Sequence, residues 1–135
     1  MYANPYKNIR TTVALGNVRQ MITALQNGDE DTFEKITRQE AAGLHAMFLP
    51  SDPPFYLIQP ETVKLINKLQ KYRNETGTHF TYTLDAGPNI HLIYSETQRN
   101  KILDLIRTDL KNDCESGQWI DDKIGEGPRL ISINS

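Results

Sequence analysis

The chain reads as an α+β protein: two N-terminal helices followed by a ferredoxin-like β-α-β-β-α-β unit, a four-stranded antiparallel sheet with helices on one face. Three observations predict this. Two runs of alternating apolar and polar residues, 79–84 and 90–95, flank a five-residue knot, Asp85-Ala86-Gly87-Pro88-Asn89. Stretches with helical spacing lie on both sides of that pair. Short apolar runs at 55–58 and 128–133 supply one further strand before it and one after it.

Each element has its own reason. Residues 5–27 form the first helix: Pro5 suits a first turn, and Ile9, Val13, Met21, Ile22 and Leu25 recur near helical spacing. Gln26-Asn27-Gly28-Asp29 then supplies a stop and a new N-cap. The second helix spans 31–49, with Phe33, Ile36, Leu44, Met47 and Phe48 along one stripe. Pro50-Ser51-Asp52-Pro53-Pro54 ends it, because proline lacks the amide donor and clashes with the preceding turn. After the strand at 55–58, Pro60 opens a third helix at a permitted N1 position. Val63, Ile66, Leu69 and Tyr72 point inward there, and Gly77 is the C-terminal signal. The fourth helix covers 96–111, with Ile102, Leu105, Ile106 and Leu110 as its stripe. A polar link through Asp113, Ser116 and Gly117 leads past Trp119, read as a packing residue, to the last strand.

Size and composition bound the function. The 135 residues suit one domain, 1–135, long enough to hide ~two thirds of its unfolded surface. A net charge of −2 lacks the basic footprint of a nucleic-acid or anionic-membrane binder. The single cysteine, Cys114, cannot close an internal disulfide, which points to a reducing cytoplasm, and its acidic neighbours Asp113 and Glu115 disfavour the thiolate. No stretch approaches the ~18 apolar residues that cross a bilayer, and MYANPYKNIR has no signal-peptide core. There is no GxxxxGK[ST] or GxGxxG loop, so nothing here binds a nucleotide unaided. His91-Leu92-Ile93-Tyr94 also lacks the basic, aromatic pattern of an RNA-recognition sheet.

The hairpin carries the main question. With Leu84 facing Ile90 across the loop, Phe80, Tyr82, Leu84, Ile90, Leu92 and Tyr94 share the apolar face. His79, Thr81, Thr83, His91, Ile93 and Ser95 share the other, and Asp85 continues that second phase, on the side away from the helices. Asp85 then either closes a plain Asx-type turn or stands beside small residues whose backbone N–H groups are open to a ligand. His45, His79 and His91 show no metal-ligand spacing, so no metal site is assigned and His79 and His91 are read as surface residues. Glu40, in phase with Phe33, Ile36 and Leu44, either sits at the edge of the stripe or must be paired or lie at an interface.

EAAGLHAMFLPSDPPFYLIQPETVKLINKLQKYRNETG followed by FTYTLDAGPNIHLIY resembles the C-terminal half of the diphosphomevalonate decarboxylases, members of the GHMP kinase superfamily. Leu44-His45-Ala46-Met47, the Pro-Pro-Phe-Tyr run and above all Asp85-Ala86-Gly87-Pro88-Asn89 carry the resemblance. It implies the GHMP C-terminal fold and an ATP- and Mg2+-dependent reaction. Mevalonate 5-diphosphate is phosphorylated on its tertiary hydroxyl and then loses phosphate and carbon dioxide, giving isopentenyl diphosphate. Asp85 matches the family's catalytic aspartate, and Ala86 and Gly87, being small, would let substrate approach the loop. The family's phosphate loop lies in an N-terminal GHMP domain that these 135 residues do not contain, so that domain is the expected partner and the chain alone is expected to be inactive. A stand-alone small-molecule binding or regulatory module, and part of a related GHMP small-molecule kinase, are the alternative readings. A homodimer is a third expectation, motivated by Glu40.

Overall fold

The computed structural model describes residues 6–50, 52–53, 56–85 and 87–128. It is a mostly helical α+β fold: four helices and a two-stranded antiparallel sheet. Helix α1 (Lys7–Asn27) stops at Gly28, whose φ of 65° is the left-handed conformation that glycine adopts without a Cβ penalty. One residue later the Asp29 side chain accepts the Thr32 amide at 3.1 Å and caps α2 (Glu30–Phe48). Helix α3 (Pro60–Thr76) begins on Pro60 and ends at Gly77, φ 64°, whose amide donates to the Arg73 carbonyl. Strands β1 (Thr81–Leu84) and β2 (Ile90–Ile93) pair in the expected register, Leu84 opposite Ile90. A 3-10 turn, Glu96–Gln98, opens α4 (Arg99–Leu105), which continues as a π-helical stretch, Ile106–Leu110, and a 3-10 turn, Lys111–Asp113.

The core lies between the sheet, α3 and the α4 region. Leu69, Phe80, Tyr82, Ile102, Leu103, Leu105, Ile106 and Leu110 are buried together, with Trp119 packed on their margin. All four residues of the expected α4 stripe are among them.

Helix α2 lies between α1 and β1, and this changes two expectations. The second sheet face does not lie away from the helices: Thr81 is fully buried, its hydroxyl donating to the Glu34 carbonyl at 2.9 Å. The buried residues of α2 are Glu34, Ile36, Ala41 and His45, whereas Leu44 is exposed. A helix with two neighbours buries two faces, and polar residues enter the second because partners await them. Similarly, α3 buries Thr62 in place of Val63. On α1, Ile9, Val13, Ile22 and Leu25 are exposed, because its apolar residues outnumber what one neighbouring helix can cover; Ala24 is buried.

Among the described residues the sheet has two strands, not four. Residues 56–58 form no ladder, and Tyr56 is exposed. A strand exists through its ladder, and this run has only three residues before Gln59 leads into α3. Phe55 and residues 129–133 of the expected last strand lie outside the described residues.

Candidate active-site loop

The hairpin loop is where buried side chains meet an exposed carboxylate. Asp85 follows β1 directly, and its amide donates to the Asn89 carbonyl at 3.5 Å, closing the loop. The Gly87 amide donates to the Asp85 carbonyl at 2.8 Å, curling the chain back on itself. The same Asp85 carbonyl lies 3.3 Å from Nε2 of His45 on α2, and the His45 Nδ1 lies 2.8 Å from the Ala41 carbonyl. At the far side of the loop, the Thr62 hydroxyl of α3 donates to the Pro88 carbonyl at 3.1 Å. Neither His45 nor Thr62 was assigned a role from the sequence. The signal available was their buried helical phase, which periodicity of apolar residues does not register.

The Asp85 side chain itself is 61% exposed, and Oδ2 lies 2.7 Å from Nε2 of His91, itself 53% exposed. His91 sits opposite Thr83, on the face whose phase Asp85 continues, so the strand geometry brings the pair together. An exposed pair of this kind contributes ~0–1 kcal/mol to stability, which leaves the carboxylate available to a competing partner. Gly87 does not have a positive φ, and a Cβ built there would meet no atom within 4 Å, so its outer side is open. Ala86 lies outside the described residues. No lysine or arginine is hydrogen-bonded to the loop among the described residues.

The other candidates go elsewhere. Glu40 is paired within the chain: Arg10 bonds both of its oxygens, one at 3.1 Å, and Asn17 bonds it at 2.5 Å. The Arg10 bond is the largest influence holding its carboxyl below the usual glutamate range. With its charge met internally, Glu40 no longer motivates a homodimer. Cys114 donates to the Leu110 carbonyl at 3.4 Å, and its thiol is pushed up first by burial and second by Asp113, which keeps it unreactive. His79 comes near Asp31 and Glu34, the three offering ligand atoms within 4.8 Å of one another. Glu34 is already met there by Arg73 at 2.6 Å and Arg38 at 3.8 Å, cations that oppose a metal ion. A cleft of ≈ 830 Å³ between α1 and α2 and another of ≈ 250 Å³ beside Arg73 and Phe80 both lie apart from residues 85–89. Among the described residues, no helix is long and apolar enough to cross a membrane.

Residues 6–131 match the family model of the mevalonate 5-diphosphate decarboxylase C-terminal domain. A diphosphomevalonate decarboxylase of Candida albicans is 33% identical over 86 residues, covering 64% of this chain and 24% of that protein. The crystal structure of a mevalonate diphosphate decarboxylase from Legionella pneumophila is 28% identical with a TM-score of 0.74, covering 79% of this chain and 34% of that one. A structure described as MDDEF in complex with MVAPP, AMPPCP and magnesium has the same TM-score at 17% identity, a likeness of fold alone, over 78% of this chain and 32% of its own. The chain spans about a quarter of the length of the curated relatives it matches.

Proposed function

The chain belongs to the mevalonate 5-diphosphate decarboxylase C-terminal domain family, and from that premise we propose that it is the part of an ATP-dependent diphosphomevalonate decarboxylase that carries the catalytic base, Asp85. The supporting observation is a carboxylate, 61% exposed, on a loop whose carbonyls lie within 3.3 Å of polar atoms of two buried side chains. Asp85 accepts the proton of the tertiary hydroxyl of mevalonate 5-diphosphate as that oxygen attacks the γ-phosphorus of ATP. A general base of this kind acts from ~3 Å and contributes about 10²–10⁴-fold. The phosphorylated product then loses phosphate with the C–O electron pair, while the bond to the carboxylate breaks to give carbon dioxide and the new double bond. We assign Ala86 and Gly87, both small, to the substrate approach.

The described residues around Asp85 include no cationic grip for a diphosphate or a nucleotide, so we assign that task mainly to an N-terminal GHMP domain. When bound, Mg2+ supplies charge neutralisation at the transferring phosphates. Such an assembly operates in a reducing cytoplasm.

The test joins the chain to a family N-terminal domain and measures carbon dioxide release that depends on both ATP and mevalonate 5-diphosphate. Asp85→Asn lowers the rate at least about 10²-fold. Full rate in that variant refutes the role of Asp85, and ATP consumption without carbon dioxide points instead to a GHMP small-molecule kinase.

A further inference from the structure

We propose that His45 and Thr62 form a two-point clamp on the hairpin loop and act as positioning residues for Asp85. Only its last consequence, on rate, rests on the decarboxylase reading. Loop carbonyls ordinarily turn to water. Among the described loop residues, the carbonyls of Asp85 and Pro88 instead turn inward, toward a histidine that is 5% exposed and a threonine that is 1% exposed. The two side chains come from different helices, α2 and α3, and hold opposite ends of the loop.

The chemistry fixes the direction of each bond. A carbonyl oxygen only accepts, so the His45 Nε2 and the Thr62 Oγ1 must donate. The Asp85 carbonyl then receives both His45 and the Gly87 amide, which fills its two lone pairs. With its carbonyl fixed on the α2 side, the Asp85 backbone is fixed too, and its carboxylate is left facing solvent. Both His45 ring nitrogens face carbonyls, Ala41 through Nδ1 and Asp85 through Nε2. A neutral ring donates from one nitrogen only. The clamp requires that Nε2 carry a proton; both contacts are donor bonds together only in the doubly protonated ring, and a ring protonated on Nδ1 alone bonds Ala41 and leaves Asp85 unheld.

The first measurement uses the 135-residue chain unaltered. Nitrogen-15 NMR of the His45 ring reads a protonated Nε2; an unprotonated Nε2 overturns the proposal even if every variant fails to fold. The second measurement is hydrogen–deuterium exchange of the Gly87 amide. His45→Asn reaches only as far as Nδ1, and Thr62→Val keeps shape but loses the hydroxyl. Each quickens Gly87 exchange by about tenfold, the equivalent of one hydrogen bond. His45→Gln, whose amide nitrogen stands near the Nε2 position, and Thr62→Ser restore protection. Unchanged exchange in His45→Asn and Thr62→Val, or an equal loss throughout α2 and β1, overturns the clamp. In the two-domain enzyme His45→Asn lowers kcat by about 10²-fold with little change in KM, as a displaced catalytic group does. Loosened exchange alongside an Asp85→Asn variant of full rate leaves the clamp standing and removes the catalytic reading. Loosened exchange with unchanged kcat, where Asp85→Asn is slow, overturns the positioning role.

Discussion

Replacing Glu34 with alanine tests the electrostatic joint between α2, α3 and the β1 end of the sheet. Its carboxylate is buried, with Oε2 2.6 Å from an Arg73 nitrogen and 3.8 Å from one of Arg38, and Oε1 3.5 Å from the His79 ring. Burial, and after it the charge of Arg73, push the Arg38 pKa down, so the two guanidiniums oppose one another across Glu34. Glu34→Ala removes the anion and leaves both cations. Breaking a buried pair by removing one partner costs about 3–5 kcal/mol. Here Arg38 and Arg73 are 25% and 24% exposed, and Arg73 retains its bond to the Phe80 carbonyl at 3.2 Å. Water can therefore reach both, which lowers the expected cost to about 2–3 kcal/mol. With a urea m-value of about 1–3 kcal/mol/M, the unfolding midpoint falls by roughly 0.7–3 M. Glu34→Ala/Arg73→Met removes one stranded cation and recovers about 1–2 kcal/mol relative to additivity. A single-variant cost below about 1 kcal/mol, or additivity within about 0.5 kcal/mol, refutes this account.

Two further outcomes follow from the same structure. Because the Glu40 carboxyl is held low in the fold, chiefly by Arg10, its stabilising contribution is present above the unfolded glutamate value of about 4.3 and is lost as pH falls through the lower folded value. Urea midpoints measured from pH 7 to pH 3 therefore fall less steeply below about pH 4.3 in Glu40→Gln; parallel acid limbs count against the Arg10–Glu40 joint. Gly87→Ala changes stability by less than about 0.5 kcal/mol, because its Cβ enters open space, and calorimetry reads this directly. In the two-domain enzyme the same methyl raises KM if substrate passes over the loop, and an unchanged KM removes Gly87 from the approach.

The elements most legible in the sequence were those set by local chemistry. Gly28 and Gly77 stop their helices, Asp29 caps the next one, and the alternation on either side of the knot set the pairing of Leu84 with Ile90. The place of Asp85 directly after β1 was legible for the same reason, since the alternation ends there. What supports it was not. Helical periodicity marks apolar stripes, but α2 has two neighbours, and its second face carries the Glu34 carboxylate toward Arg73 of α3 and His45 toward the hairpin loop. Thr62 displaced Val63 inward because its hydroxyl had the Pro88 carbonyl to bind. The apolar run before α3 resembled a strand by composition, yet a strand also needs a neighbour, and composition does not reveal one.

The hydrogen bonds at the loop also bear on how portable the motif is. FTYTLDAGPNIHLIYS contains the carboxylate and the pairing that folds it back, but neither donor that holds its inward carbonyls. Transplanted as a peptide or grafted onto another hairpin, it would carry Asp85 without fixing where Asp85 stands. The shortest continuous piece that contains both donors and the partner of the carboxylate runs from His45 to His91. The transferable unit is thus a helix end, a second helix and a hairpin, far longer than the loop itself.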